Sequence, residues 1–207
     1  MRLRSHGLSD IGRKRKTNED SLFLDDDLGL YIVADGMGGH EAGEVASAEA
    51  VAAIYSIVQR GRPIIDRFVS GPDPQRQASV VRLIESSVQS ATYMIYGLAE
   101  LAPEQAGMGT TASVLLCAGT LGVTAQVGDS RVYQVRAGKT RQITEDHTLI
   151  NWQLKEGLIT EEEAALSPNR NVITRAVGDR DYVEVDTRAF EIESADRYLL
   201  CSGGLHG

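Results

Sequence analysis

Asp35 is the residue of this chain best suited to chemistry, because it ends an apolar run and opens a glycine-rich turn. Residues 30–34 are continuously apolar, as in strands that are buried on both faces. A carboxylate at the edge of such a core loses part of its hydration, which costs free energy. A bound cation commonly offsets this cost. Gly36, Gly38 and Gly39 let backbone groups approach a ligand closely. The pattern predicts a metal and phosphate site, with an ordinary tight turn and helix cap as the alternative.

A second charged cluster lies upstream, where basic residues 13–16 run into Glu19 and Asp20 ahead of a short apolar segment, 22–24. Taken alone, it is typical of a solvated turn. Taken with Asp35, it offers carboxylates for a divalent cation and arginine for a phosphate. Arginine suits a phosphate better than lysine because its planar group donates two parallel hydrogen bonds.

The elements that must position these residues follow from periodicity and turn signals. Apolar spacing predicts long helices over residues 41–59 and 75–101, separated by glycine and proline. Short apolar runs between turns predict an antiparallel meander. Its strands span 111–118, 121–127, 131–136 and 140–144, and further strands are predicted near 182–192 and 197–201. A helical interlude at 147–165 separates the two groups and contains a capping-box pattern at Thr160.

Composition indicates a globular chain of one domain or at most two, and it argues against several classes of protein. The chain has 207 residues, 42% of them hydrophobic, which is ample for a core. A net charge of −8 argues against nonspecific nucleic-acid binding. No apolar run has the length of a membrane span, and the first six residues lead into no hydrophobic secretory segment, so we expect a cytoplasmic protein. Cys117 and Cys201 lie in apolar runs and are expected to be buried free thiols.

An ordered series of motifs resembles the type 2C metal-dependent Ser/Thr protein phosphatases, specifically their compact bacterial members. The resemblance covers nearly the whole chain. The motifs are SDIG (9–12), RKTNEDS (15–21), VADGMGGH (33–40), GTT (109–111), VGDSR (127–131), TEDHT (144–148), ITRAVG (173–178) and LLCS (199–202).

This resemblance implies an α+β fold, a four-layer α-β-β-α sandwich of two antiparallel sheets flanked by helices. Residues 1–207 would form a single catalytic domain, and 147–171 would be a flap-like interlude beside the active site. The metal site would lie at one end, between the sheets.

The resemblance also implies hydrolysis of phosphoserine and phosphothreonine in proteins by a metal-activated water, which reverses Ser/Thr kinase signalling. Two cations, Mn²⁺ or Mg²⁺, would be bound, both of which favour oxygen ligands. Asp35 would bridge them, Asp20 and the Gly36 carbonyl would bind the second, and Arg15 would hold the substrate phosphate. The partners of the protein would be phosphorylated proteins. The protein itself is expected to be a monomer.

Three further residues have subsidiary roles by the same resemblance. Asp129 matches an acidic residue that holds a third, weaker cation in bacterial relatives. Glu19 adjoins the site and is expected to contribute through an ordered water. For His40 two interpretations stay open: donation of a proton to the leaving alkoxide, or a backbone contact at a helix start.

Two departures from the family pattern fall near the C-terminus. The family has Ser-Asp-Gly-Leu where this chain has Ser202, Gly203, Gly204 and Leu205, so a metal-binding aspartate is replaced by Gly203. The chain then ends at Gly207, before the family's last helix and strand with a further metal-binding aspartate. We therefore expect weakened cation binding and a missing last strand. An impaired domain that binds phosphoproteins without turnover is the alternative function.

Overall fold

A computed structural model describes residues 2–13, 17–38 and 42–206, except for the side chain of His206. Runs of strands and runs of helices follow one another along the chain. The helices are α1 (Ala42–Arg60), α2 (Arg62–Ser70), α3 (Pro74–Leu101), α4 (Leu149–Lys155), α5 (Glu161–Leu166) and α6 (Gly203–His206), with a 3₁₀ turn at Pro103–Gln105. The strands are β1 (Asp20–Asp25), β2 (Leu30–Met37), β3 (Gly109–Thr110), β4 (Ala112–Ala118), β5 (Leu121–Val127), β6 (Arg131–Arg136), β7 (Lys139–Gln142), β8 (Asp186–Glu191) and β9 (Arg197–Cys201).

Two antiparallel sheets organise the fold. The first has the order β1-β2-β4-β5-β8, with the short β3 paired to β2, and the second has the order β7-β6-β9. Strands β1 and β9 are thus edge strands of their sheets. The arrangement confirms the predicted α+β class with two antiparallel sheets flanked by helices, whereas the missing last strand stays a prediction.

Strand β2 runs through the middle of the core and is buried on both faces, as its continuous apolar sequence predicts. Leu30, Ile32 and Ala34 belong to the large cluster that the first sheet forms with the helices. Tyr31 points the other way, into a smaller cluster with Leu115 and side chains of β9. Alternation along a strand therefore directs Asp35 to the same face as Tyr31, toward the second sheet.

Helices α1 and α3 occupy the predicted segments to within one residue at each end. Asp73 caps α3, and its carboxylate accepts a hydrogen bond of 2.8 Å from the Arg76 backbone N–H. Between them the structure contains α2, which the pattern of breakers does not predict. Pro63 lies in the first turn of α2, where a missing N–H costs nothing, so it starts a helix there instead of ending one.

The 147–171 segment contains two short helices, α4 and α5, instead of one helical run. Thr160 caps α5 in the predicted capping box, where its backbone N–H donates to the Glu163 carboxylate at 2.9 Å.

Both cysteines are buried and free, as predicted. Within the described ranges, none of the helices combines the length and apolar character needed to span a membrane.

Candidate functional site

Asp20 and Asp35 lie directly opposite each other on β1 and β2. The Gly36 N–H donates to the Glu19 carbonyl at 2.9 Å, which makes the adjacent Asp20–Asp35 pair a non-hydrogen-bonded one. Side chains approach most closely at such pairs and leave the same face of the sheet. The pairing of β1 with β2 therefore brings two carboxylates together, facing the second sheet.

The two oxygens of the Asp20 carboxylate have different surroundings. Oδ2 accepts a hydrogen bond of 2.8 Å from the Ser202 hydroxyl. Oδ1 is buried and has no hydrogen-bond partner in the part of the chain that the structure describes. Leaving a charged oxygen buried and unsatisfied is costly, so the position is suited to a cation.

Backbone packing around Gly36 leaves no room for a side chain. A Cβ on Gly36 would collide with the carbonyl of Gly43 in the first turn of α1. A Cβ on Gly43 would in turn lie 2.8 Å from Oε1 of Glu19. Glu19, Gly36 and the start of α1 are thus packed together next to Asp20 and Asp35, and only glycine permits this close approach.

Thr111 holds the backbone of Asp35 in place. The Asp35 N–H donates to the Thr111 hydroxyl at 2.9 Å, and the Thr111 N–H donates to the Asp35 carbonyl at 2.9 Å. The same hydroxyl lies 2.7 Å from the Ser130 hydroxyl, and both side chains are buried. Ser130 directly follows Asp129, so a short chain of contacts joins the Asp129 turn to Asp35.

The side chain of Gln126 holds the turn that carries Asp129 through hydrogen bonds to its backbone. The Gln126 side-chain amide donates to the carbonyls of Gly128 at 3.1 Å and Ser130 at 2.6 Å. Its own oxygen accepts from the Ser113 hydroxyl at 2.6 Å. Gly128 has a φ of +93°, which a residue with a side chain rarely adopts. These hydrogen bonds hold the backbone on both sides of Asp129.

His147 binds the same turn from the other side. Its Nδ1 accepts a hydrogen bond of 3.2 Å from the Gly128 N–H, and its Nε2 lies 3.1 Å from Oδ2 of Asp186. Because Nδ1 is an acceptor, the neutral ring carries its proton on Nε2 and donates it to Asp186. Burial lowers the pKa of His147, and the charge of Arg175 lowers it further, although the hydrogen bond to Asp186 opposes both.

Ion pairs hold Arg175, which lies shortly after the 147–171 segment, beside this histidine. Arg175 bonds Oδ1 of Asp186 at 2.7 Å and pairs with Glu184 at 2.9 Å. The Thr174 N–H donates to the His147 carbonyl at 2.8 Å. The start of the segment and the residues that follow its end are thus attached near the Asp129 turn.

The structure brings most of the predicted site residues to one end of the two sheets. Asp20, Asp35, Gly36 and Glu19 are immediate neighbours through the β1–β2 pair, and Asp129 is connected through Thr111 and Ser130. Arg15 and His40 lie outside the described residues. Sequence reasoning assigned no role to four side chains that support the site: Thr111, Gln126, Ser130 and Ser202. The motifs that contain Thr111, Ser130 and Ser202 are the only sequence signal for them.

The residues present fit a hard divalent cation. Asp20, Asp35 and the Gly36 carbonyl supply only oxygen atoms, which Mg²⁺ and Mn²⁺ prefer. The unpartnered, buried Oδ1 of Asp20 is an oxygen that such an ion would satisfy. Among residues 2–13, 17–38 and 42–206, no group of three or more His, Cys, Asp or Glu side chains forms a metal cluster. The fit therefore depends on two carboxylates and backbone.

Comparison with known sequences gives consistent results. A sequence model of protein phosphatase 2C matches residues 10–206. The Ser/Thr protein phosphatase PstP of Mycobacterium tuberculosis is 37% identical over 203 residues, which are 98% of this chain and 36% of PstP. The Ser/Thr phosphatase stp of Listeria monocytogenes is 37% identical over 200 residues, 95% of this chain and 75% of stp. The chain thus spans about a third of PstP.

Solved structures give the same result in three dimensions. The crystal structure of M. tuberculosis PstP has a TM-score of 0.81 and 37% identity, covering 96% of this chain and 77% of that one. A structure of the PstP catalytic domain in complex with two manganese ions has a TM-score of 0.78 and 36% identity, covering 96% of this chain and 76% of that one.

Proposed function

This chain belongs to the protein phosphatase 2C family, and we propose that it hydrolyses phosphoserine and phosphothreonine in proteins. The observation that carries the proposal is the opposed pair of Asp20 and Asp35, in which one buried carboxylate oxygen has no partner in the described structure. Phosphorylated proteins are then the substrates, and the reaction reverses the action of a Ser/Thr kinase. The comparisons give no support to the alternative of binding without turnover, since the relatives are named as phosphatases.

The cations of this reaction are Mn²⁺ or Mg²⁺, held by Asp20, Asp35 and the Gly36 carbonyl. The two manganese ions of the PstP catalytic domain support this choice. When bound, such ions polarise phosphate oxygens and lower the pKa of the attacking water. We assign Glu19 a contribution through an ordered water and Asp129 a weaker third cation.

The remaining roles belong to side chains that bind or protonate the substrate. We propose that Arg15 binds the substrate phosphate, because a guanidinium group can donate two parallel hydrogen bonds to it. His40 either donates a proton to the leaving alkoxide or contacts backbone at the start of α1. Three points stay predictions from the sequence: that a Ser/Thr kinase phosphorylates the substrates, that the protein is a monomer, and that it is cytoplasmic.

Release of phosphate from a phosphothreonine peptide tests the proposal. We expect release in the presence of Mn²⁺, loss of release with a chelator, and recovery when Mn²⁺ is restored. Asp20→Ala should abolish release, whereas Asp66→Ala, which removes an exposed carboxylate of α2, should not. Release that persists in the chelator and in Asp20→Ala would contradict the proposed mechanism.

A further inference from the structure

We propose that Ser202 is a positioning residue for cation binding. In this role its hydroxyl holds one oxygen of the Asp20 carboxylate, so that the other oxygen is presented to the cation. The inference rests on the proposed function, because it takes Asp20 to be a ligand of the catalytic cation. It adds a residue that directly follows β9, an edge strand of the second sheet, to a site that is otherwise built on the first sheet.

The contact spans the two sheets. Asp20 is the first residue of β1 at the edge of the first sheet, and Ser202 directly follows β9 at the edge of the second. The two residues are 182 positions apart in sequence, yet the Ser202 Oγ and the Asp20 Oδ2 are 2.8 Å apart. A hydroxyl has one proton to donate, and a carboxylate can only accept, so the direction of the bond is defined.

This bond determines what the second oxygen of Asp20 can do. With Oδ2 held by Ser202, rotation of the carboxylate is restricted. Oδ1 then stays in a buried position without a hydrogen-bond partner among the described residues. A side chain with both oxygens satisfied by protein donors would be a poorer ligand, whereas this one has one oxygen fixed and the other available.

The residue after Ser202 reaches the second carboxylate. A Cβ built on Gly203 would lie 3.9 Å from Oδ2 of Asp35. The two consecutive residues that follow β9 thus lie beside the two opposed carboxylates of the first sheet, Ser202 beside Asp20 and Gly203 beside Asp35. Cation affinity should therefore depend on how the second sheet packs against the first.

Hydrogen-bond partners of metal ligands affect affinity strongly, and their loss typically weakens metal binding by about 10- to 100-fold. We expect Ser202→Ala to weaken Mn²⁺ binding by about tenfold or more, because the Asp20 carboxylate is then free to turn. Ser202→Thr keeps the hydroxyl and should bind Mn²⁺ like the original chain. Ser202→Cys keeps the size but donates only weakly, so it should behave like Ser202→Ala.

Calorimetric titration with Mn²⁺ measures these affinities without any turnover. The matched control is Ser21→Ala, which removes a hydroxyl from the residue next to Asp20. The Ser21 hydroxyl lies 2.9 Å from that of Ser47 on α1 and contacts no ligand carboxylate, so Mn²⁺ affinity should be unchanged. The rise in Tm on adding Mn²⁺ provides a second readout, and it should shrink in Ser202→Ala and Ser202→Cys but not in Ser21→Ala.

Asp20→Ala separates this inference from the proposed function. If Asp20→Ala loses Mn²⁺ binding while Ser202→Ala and Ser202→Cys bind like the original chain, the positioning role is wrong and the cation site stands. If Asp20→Ala also binds Mn²⁺ normally, Asp20 is not a ligand and both proposals fail. Should Ser202→Ala not fold, the comparison of Ser202→Cys with Ser202→Thr decides the matter.

Discussion

Asp20 and Asp35 occupy directly opposed, non-hydrogen-bonded positions on β1 and β2, with both carboxylates on the face toward the second sheet. Like charges at such positions oppose pairing of the strands, by up to about 1 kcal/mol. A bound cation reverses the sign of this contribution, because it attracts both carboxylates. Two directly opposed carboxylates are thus an arrangement that favours a cation site.

Asp35→Ala should abolish Mn²⁺ binding at the Asp20–Asp35 site, because both cations proposed there share this carboxylate. Calorimetric titration checks the prediction, with Asp66→Ala as the control, since Asp66 is an exposed carboxylate on α2. Unchanged binding by Asp35→Ala would mean that the metal binds elsewhere in the chain.

Arg15→Ala should raise KM for phosphopeptides and leave Mn²⁺ affinity nearly intact. Loss of a hydrogen bond to a charged group costs about 1.5–3 kcal/mol, which corresponds to about 10- to 150-fold in kcat/KM. Arg13→Ala is the matched control, because it removes an exposed guanidinium two positions away. A variant with weaker metal binding and unchanged KM would reverse the role assigned to Arg15.

His147 should make the protein less stable as the pH falls. Burial lowers the pKa of this histidine in the folded state, so the unfolded chain binds the proton more readily. Its contribution to the free energy of unfolding is therefore complete above the ordinary pKa of about 6.5, and it is lost as the pH falls from that value through the lowered pKa of the folded state.

Melting curves between pH values of about 7.5 and 5 test this prediction. We expect the Tm of His147→Gln to vary less with pH than that of the original chain, although its absolute Tm should be lower because the Gly128 contact is lost. His6→Gln changes an exposed histidine and should keep the original pH dependence. Equal slopes for His147→Gln and the original chain would contradict the assignment.

Much of the fold follows from local patterns. Strands β5, β6 and β9 have the predicted bounds, because each is an apolar or alternating run between turn residues. Helix α2 was missed because Pro63 has opposite effects in the first turn of a helix and in its interior. Strand β3 was missed because two residues are too few for a periodic signal.

The sequence predicts site residues only where a pattern of neighbouring residues marks them. Asp20 begins β1, and Asp35 directly follows the apolar run with which β2 starts, so the strand pattern directs attention to them. The bond between Ser202 and Asp20 joins residues 182 positions apart, so no local pattern contains it. Nor does a local pattern show that His147 is buried against Gly128, because strands β5 and β8 bring distant polar groups around it.

Gly203→Asp should tighten Mn²⁺ binding, by about tenfold or more, by adding a third carboxylate to the site. The Cβ at this position would lie 3.9 Å from Oδ2 of Asp35, so an aspartate there extends toward the proposed cation. Gly203 has no positive φ, which means that the backbone accepts a side chain without strain. Residue 203 also begins the short helix α6, a position that tolerates aspartate.

Gly204→Asp is the matched control, because it adds the same charge one residue further along. A Cβ at Gly204 meets no atom within 4 Å, and this residue also has no positive φ. If proximity to Asp35 is what matters, titration with Mn²⁺ should give tighter binding for Gly203→Asp and nearly unchanged binding for Gly204→Asp. Equal gains for both variants would mean that overall charge attracts the cation, and no gain for either would mean that the cation does not lie between Asp35 and residue 203.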